Sequence, residues 1–209
     1  MSGGDASTRG IAAAEVFPVT KTFYLDTEFT ALRQDARLIS LALVAESGEA
    51  FYAELAGLDL ARSEPWIREN VLPHCRWLGK AGVAAPVWTE SEGSISGFAQ
   101  PPQVAERLRA WLARWPRINI WTDGGAWDWV LFCGLFGGAL SLPENIFYLP
   151  FDLVTLLALK GLDPDLDRAT FVGEGLPAGQ APRRHHALDD ARILMACHRR
   201  LSAMAAGGN

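Results

Sequence analysis

The stretch TFYLDTEFTALRQDARLISLALVAESGEAFYAEL, residues 22–55, decides the fold. It opens on an apolar, β-prone run, 22–29, that reads as a strand. Residues 37–46, RLISLALVAE, read as a second strand and 49–55, EAFYAEL, as a third. Ser47 and Gly48 between them are a two-residue hairpin signal. The three strands therefore predict an antiparallel meander. Asp26 and Glu28 lie at the end of the first strand, two residues apart. Side chains two apart on a strand point to the same face, so both carboxylates project together beside an apolar strand. Adjacent anions are costly there unless a cation neutralises them. Hard carboxylate oxygens suit Mg²⁺ or Mn²⁺. The plain alternative is two solvated acids at a strand end.

Further along, Ser63 offers a helix N-cap, with Glu64 and Pro65 suited to a first turn, and predicts a short helix to about Val71. Residues 78–101 are rich in Gly, Ser and Pro and predict a long surface loop. Over 102–115, Val104, Leu108, Trp111, Leu112 and Trp115 share one helical face, and Pro116 stops that helix. Ile118–Trp121 reads as a short strand and 127–136 as an apolar helix. Ile146–Leu149 reads as a last strand, followed by a helix from about Asp152 to Leu159. After a Gly-, Pro- and Asp-rich stretch, 187–205 predicts a closing helix. Three strands followed by alternating helix and strand imply an α/β fold, a mixed sheet with helices on its faces.

With 209 residues the chain is long enough for one domain with a sizeable core. Residues 21–205 read as that domain and 1–20 as a loose tail. Composition is that of a soluble globular protein, 49% apolar and 21% charged. No apolar run approaches the roughly 20 residues of a membrane-spanning helix. The N-terminus lacks the basic start and long apolar stretch of a secretory signal. Cys75, Cys133 and Cys197 form no CxxC pair and read as buried thiols in a reducing cytosol. The net charge of −5 argues against a non-specific duplex binder that relies on phosphate neutralisation. Arg183, Arg184, Arg192, Arg199 and Arg200 nevertheless make the C-terminal region locally basic.

Two further motifs carry chemistry. WTDGGAWDWVLFCGLFG, residues 121–137, puts Asp128 at the start of an apolar helix. Gly124 and Gly125 allow a tight turn before it. An acid at a helix start is also favoured on electrostatic grounds alone, and Asp123 is its rival. RRHHALDDARIL, residues 183–194, holds His185 and Asp190 five apart. On a continuous helix these two are about 140° out of phase, so they converge only if His185 lies in the loop before the helix. Pro182 and the two arginines support that placing. A histidine there has a pKa suited to a general base. His186 competes with His185, and Asp189 with Asp190; a polar capping cluster is the plain reading.

DTEF, a mid-chain Asp at a helix start and H-x4-D before a closing helix occur in that order, from about residue 22 to 200. The chain thereby resembles the DEDDh 3′–5′ exonucleases, and within them the small stand-alone bacterial and phage 3′-exoribonucleases. The resemblance implies a ribonuclease H-like fold: a mixed five-stranded sheet, three antiparallel strands then parallel ones, flanked by helices. It implies that Asp26, Glu28, Asp128 and Asp190 bind two Mg²⁺ or Mn²⁺ ions and that His185 is the base. The family spacing H-x4-D selects His185 over His186 and Asp190 over Asp189. Where related second motifs often carry Asn, this chain has Asp123. The implied partner is an RNA 3′ end, with single-stranded DNA as the alternative and a catalytically silent nucleic-acid-binding module as the rival. Thr27, Phe29 and Trp127 are the candidate substrate contacts, the two aromatics by stacking on a terminal base, with core packing as the competing reading. The resemblance also implies a homodimer, while the cysteine pattern carries the expectation of a cytoplasmic location.

Overall fold

The computed structural model describes residues 20–173 and 183–204. The tail expected over 1–20 (apart from Thr20), Pro182 and residue 205 of the closing helix lie outside the described residues. Strands β1 (Lys21–Phe29), β2 (Leu38–Ala45) and β3 (Ala50–Leu55) form the antiparallel meander. Gly48 turns the second hairpin with φ +109, its N–H donating to the Ala45 carbonyl at 2.8 Å. Helix α1 (Pro65–Asn70) follows.

The sheet has seven strands, not five. The segment expected as a long loop contains β4 (Val87–Ser91) and β5 (Ser94–Ala99), joined through Glu92 and Gly93, both at positive φ. Strand β5 adds to β3 in parallel. Glycine there marks a close approach rather than a loop: a Cβ on Gly97 would lie 2.1 Å from the Trp88 ring. After α2 (Pro101–Leu112) and β6 (Ile118–Thr122), α3 spans Asp128–Leu135. The strand expected at Ile146–Leu149 is reduced to one bridge, Ile146 to Ile118. The paired strand is β7 (Phe151–Asp152), because Pro150 carries no N–H for a ladder and Tyr148 and Leu149 turn outward. Helices α4 (Leu153–Leu159), α5 (Arg168–Val172) and α6 (Ala187–Ala203) complete the chain. The strand order is β4-β5-β3-β2-β1-β6-β7. With β6 and β7 parallel to β1, this is the mixed α/β arrangement implied by the sequence.

Both faces of the sheet are covered. Phe23, Leu25, Leu41 and Phe51 pack with Val104, Leu108 and Trp111 of α2 and Phe132 of α3. Tyr24, Ala42, Val44 and Tyr52 pack with Leu153, Leu157 and Leu194 on the α4 and α6 side. Strand β2 is buried at every position, which is why it reads as a continuous apolar run. Each fully buried large side chain contributes about 1.5–3 kcal/mol. Along β1 the alternation decides the site: Tyr24, Asp26 and Glu28 share the α6 face, while Thr27 shares the α3 face with Leu25. No described helix is long and apolar enough to cross a membrane.

Candidate active site

The acids come from three elements that meet where β1 ends. Asp26 and Glu28 project from β1 toward the first turn of α6, which carries Asp190. Carboxylate oxygens of these three residues lie within 4.8 Å of one another. The backbone N–H of His186 donates to Asp190 Oδ2 at 3.0 Å and fixes that carboxylate. Asp128, at the start of α3, is oriented from the other side of β1. Its Oδ1 accepts from the Thr27 N–H at 3.0 Å and from the Thr27 hydroxyl at 2.6 Å. Thr27, expected to meet substrate, is buried and its hydroxyl is committed to Asp128.

Four acids this close cannot all be ionised cheaply. Burial, then the charges of Asp128, Asp190, Glu28 and Asp123, raise the Asp26 pKa well above the carboxylate range. Burial first, then Asp190 and Asp128, push Glu28 up to about 8. Burial raises Asp128 and Asp190 to about 6, against the pull of their hydrogen bonds. The donor set is all oxygen, anionic and crowded, which fits hard divalent cations. A raised acid pKa means the fold binds protons that the unfolded chain has released, so this share of stability is lost as pH rises through the folded value. The histidines with lowered pKa act in the opposite direction, but they have largely finished titrating by pH 7 in either state. Between pH 7 and 8.5, metal-free protein should therefore lose about 1 kcal/mol through Glu28, a few degrees in Tm. Differential scanning fluorimetry checks this, and saturating Mg²⁺ should remove most of the loss. A Tm that rises over this interval without metal would contradict it.

His185 sits in the turn before α6 with φ +60, a left-handed conformation uncommon for a non-glycine residue. That turn brings it over the cavity that Asp26, Glu28, Asp128 and Asp190 line. Its ring meets Trp66 of α1 edge-on, centroids 4.7 Å apart. Burial, His74 and Arg184 lower its pKa, which keeps the imidazole neutral near pH 7. His186 points elsewhere. It is buried, stacked on Tyr52 at 4.9 Å, and pushed down to about 4, mainly by burial and then by Arg183. Asp189 is likewise withdrawn, paired with Arg183 at 2.8 Å. Asp123 lines the cavity, but Arg168 of α5 holds it in a bidentate ion pair, at 2.7 and 2.9 Å.

The cavity encloses about 640 Å³. Phe29 and Trp127 stack on each other along one wall, centroids 6.3 Å apart, and neither is a core residue. Trp66 and Leu32, both exposed, add apolar surface to the same cavity. Reasoning from sequence missed Trp66, Leu32 and Arg168. A tryptophan in the first turn of the short helix expected after Ser63 was the available signal for Trp66; Arg168 had none, because its partner is 45 residues away.

No family model matches the chain. Two 3′–5′ exoribonucleases, from two strains of Mycobacterium tuberculosis, are each 29% identical to it over 126 residues. The match covers 59% of this chain and 66% of theirs, so it spans just under two thirds of those relatives' length. A solved structure of a full-length 3′-exonuclease has the same fold, with a TM-score of 0.52 at 13% identity. That likeness covers 87% of this chain and 81% of the other.

Proposed function

We propose that this chain, a relative of 3′–5′ exonucleases in sequence and fold, is a metal-dependent 3′–5′ exonuclease. It releases nucleoside 5′-monophosphates from RNA 3′ ends. One observation carries the reading: Asp26, Glu28, Asp128 and Asp190, from β1, α3 and α6, converge with His185 on a single aromatic-walled cavity.

Asp26, Glu28 and Asp190 would hold one ion, and Asp26 with Asp128 a second. When bound, a pair of Mg²⁺ or Mn²⁺ ions activates water and stabilises the attacking and leaving oxygens of a phosphoryl displacement. His185 takes the proton from the attacking water, for which a neutral imidazole is required. Thr27 and the His186 N–H hold Asp128 and Asp190 in place before substrate arrives, so little reorganisation remains. Phe29 and Trp127, with Trp66 and Leu32, offer apolar faces to the terminal base, a contact every base can make. The RNA preference follows the names of the mycobacterial relatives. A cytoplasmic homodimer belongs to the same reading; the exposed apolar run of Phe147, Tyr148, Leu149 and Phe151 is surface available to a second copy.

Purified protein with Mg²⁺ or Mn²⁺ should shorten a 3′-tailed RNA one nucleotide at a time, with 5′-monophosphates as the product. A matched single-stranded DNA run in parallel tests the sugar preference. If both substrates stay intact under both metals, the enzyme reading fails.

A further inference from the structure

We infer that Arg184 grips the substrate strand by binding a phosphodiester other than the one being cut. The inference rests on the exonuclease reading above. Among the described residues lining the cavity there are seven acids and two arginines, Arg168 and Arg184. Bound cations offset the acids nearest the reaction, but the rest of a polyanionic strand still enters a negatively charged mouth. A side-chain cation must meet it.

Arg168 is already committed elsewhere. Its guanidinium holds both oxygens of Asp123 and also donates to the carbonyls of Leu166, at 2.6 Å, and Pro164, at 2.8 Å. Arg184 is differently placed. Its side chain is 69% exposed, and its partner Asp167 is 40% exposed. An ion pair that open is worth about 0–1 kcal/mol, so a phosphate can displace the carboxylate. Phosphate also matches the planar fork of arginine. Asp167 loses little by the exchange, because it remains the N-cap of α5, accepting from the Thr170 N–H at 2.7 Å. The neighbouring arginine does not compete, since Arg183 turns away to Asp189 and His186. The twin arginines are therefore divided, one building the turn and the other facing the cavity beside His185.

The test compares a tetraribonucleotide with the p-nitrophenyl ester of a nucleoside 5′-monophosphate, which has a single phosphodiester. Arg184→Ala should raise KM on the tetranucleotide about tenfold with little change in kcat, the signature of lost uniform binding. The loss of kcat/KM should be at least fivefold greater on the tetranucleotide than on the ester. The slope of log affinity against log salt should shrink by about 0.7, one phosphate contact on a single strand. Arg184→Lys should recover part of the affinity. Asp167→Asn, which keeps a capping side chain, should lower KM by freeing Arg184. Equal losses on both substrates, or an unchanged salt slope, would overturn the inference. If wild type cleaves neither substrate, yet Arg184→Ala still weakens tetranucleotide binding in Ca²⁺ by fluorescence anisotropy, the exonuclease reading falls and the Arg184 contact stands.

Discussion

Asp26→Asn is expected to remove turnover by a thousandfold or more while raising the melting temperature of the metal-free protein. The two effects have one cause. Asp26 is part-buried in the cavity wall, and burial together with the nearby charges of Asp128, Asp190, Glu28 and Asp123 opposes its ionisation. At neutral pH the metal-free fold must either hold a proton there or bear the repulsion, whereas the unfolded chain does neither. Asparagine has nearly the same shape and no charge, so it relieves that cost. It also withdraws the carboxylate that would contact both ions, and with it the stabilisation that Mn²⁺ confers on the native state. The measurement is a pair of melting curves, with and without Mn²⁺, beside a turnover assay. A variant that melts lower without metal, or that keeps a tenth of the activity, would show that Asp26 is a structural acid.

His185 is expected to behave in the opposite way. His185→Asn should lose about 10²–10⁴ in kcat, the usual contribution of a positioned base. Its melting temperature and its response to Mn²⁺ should stay close to wild type. Asn is the appropriate replacement because it tolerates the left-handed backbone at φ +60, where Ala would add strain to the chemical loss. The pH profile separates a base from a packing residue. Burial, His74 and Arg184 lower the pKa of His185, so the acid limb of the wild-type rate should lie below pH 6.5. That limb should vanish in the variant. If His186→Asn removes the limb instead, the base is His186 and the assignment fails.

These expectations differ in how much of their basis was legible in the sequence. Periodicity and the Ser47-Gly48 turn are local signals, and the meander follows from them directly. The five-strand expectation failed where locality failed. Strand β5 pairs with β3 across more than 40 residues and carries Gly97 because Trp88 needs the space, so its composition mimics a loop. Strand β7 is two residues long, too short to leave a period of its own.

The site divides along the same line. By itself the sequence determined that Asp26 and Glu28 share a face of β1, because a strand's side chains alternate with period two. It determined that Asp128 opens a helix, and that a histidine and an acid precede and enter the last one. The family spacing pointed to His185 over His186 and Asp190 over Asp189, but only tertiary structure supplied the physical reason that divides them. One left-handed turn sends His185 to the cavity, while the Tyr52 ring and Arg183 hold its neighbours away. Only tertiary structure supplied Arg168 to neutralise Asp123 and left Arg184 facing the cavity on a weak partner. Adjacent residues of the same type share one chain position and one helix start. What distinguishes them is which packed surface each side chain meets, and that is set by elements far away in the chain.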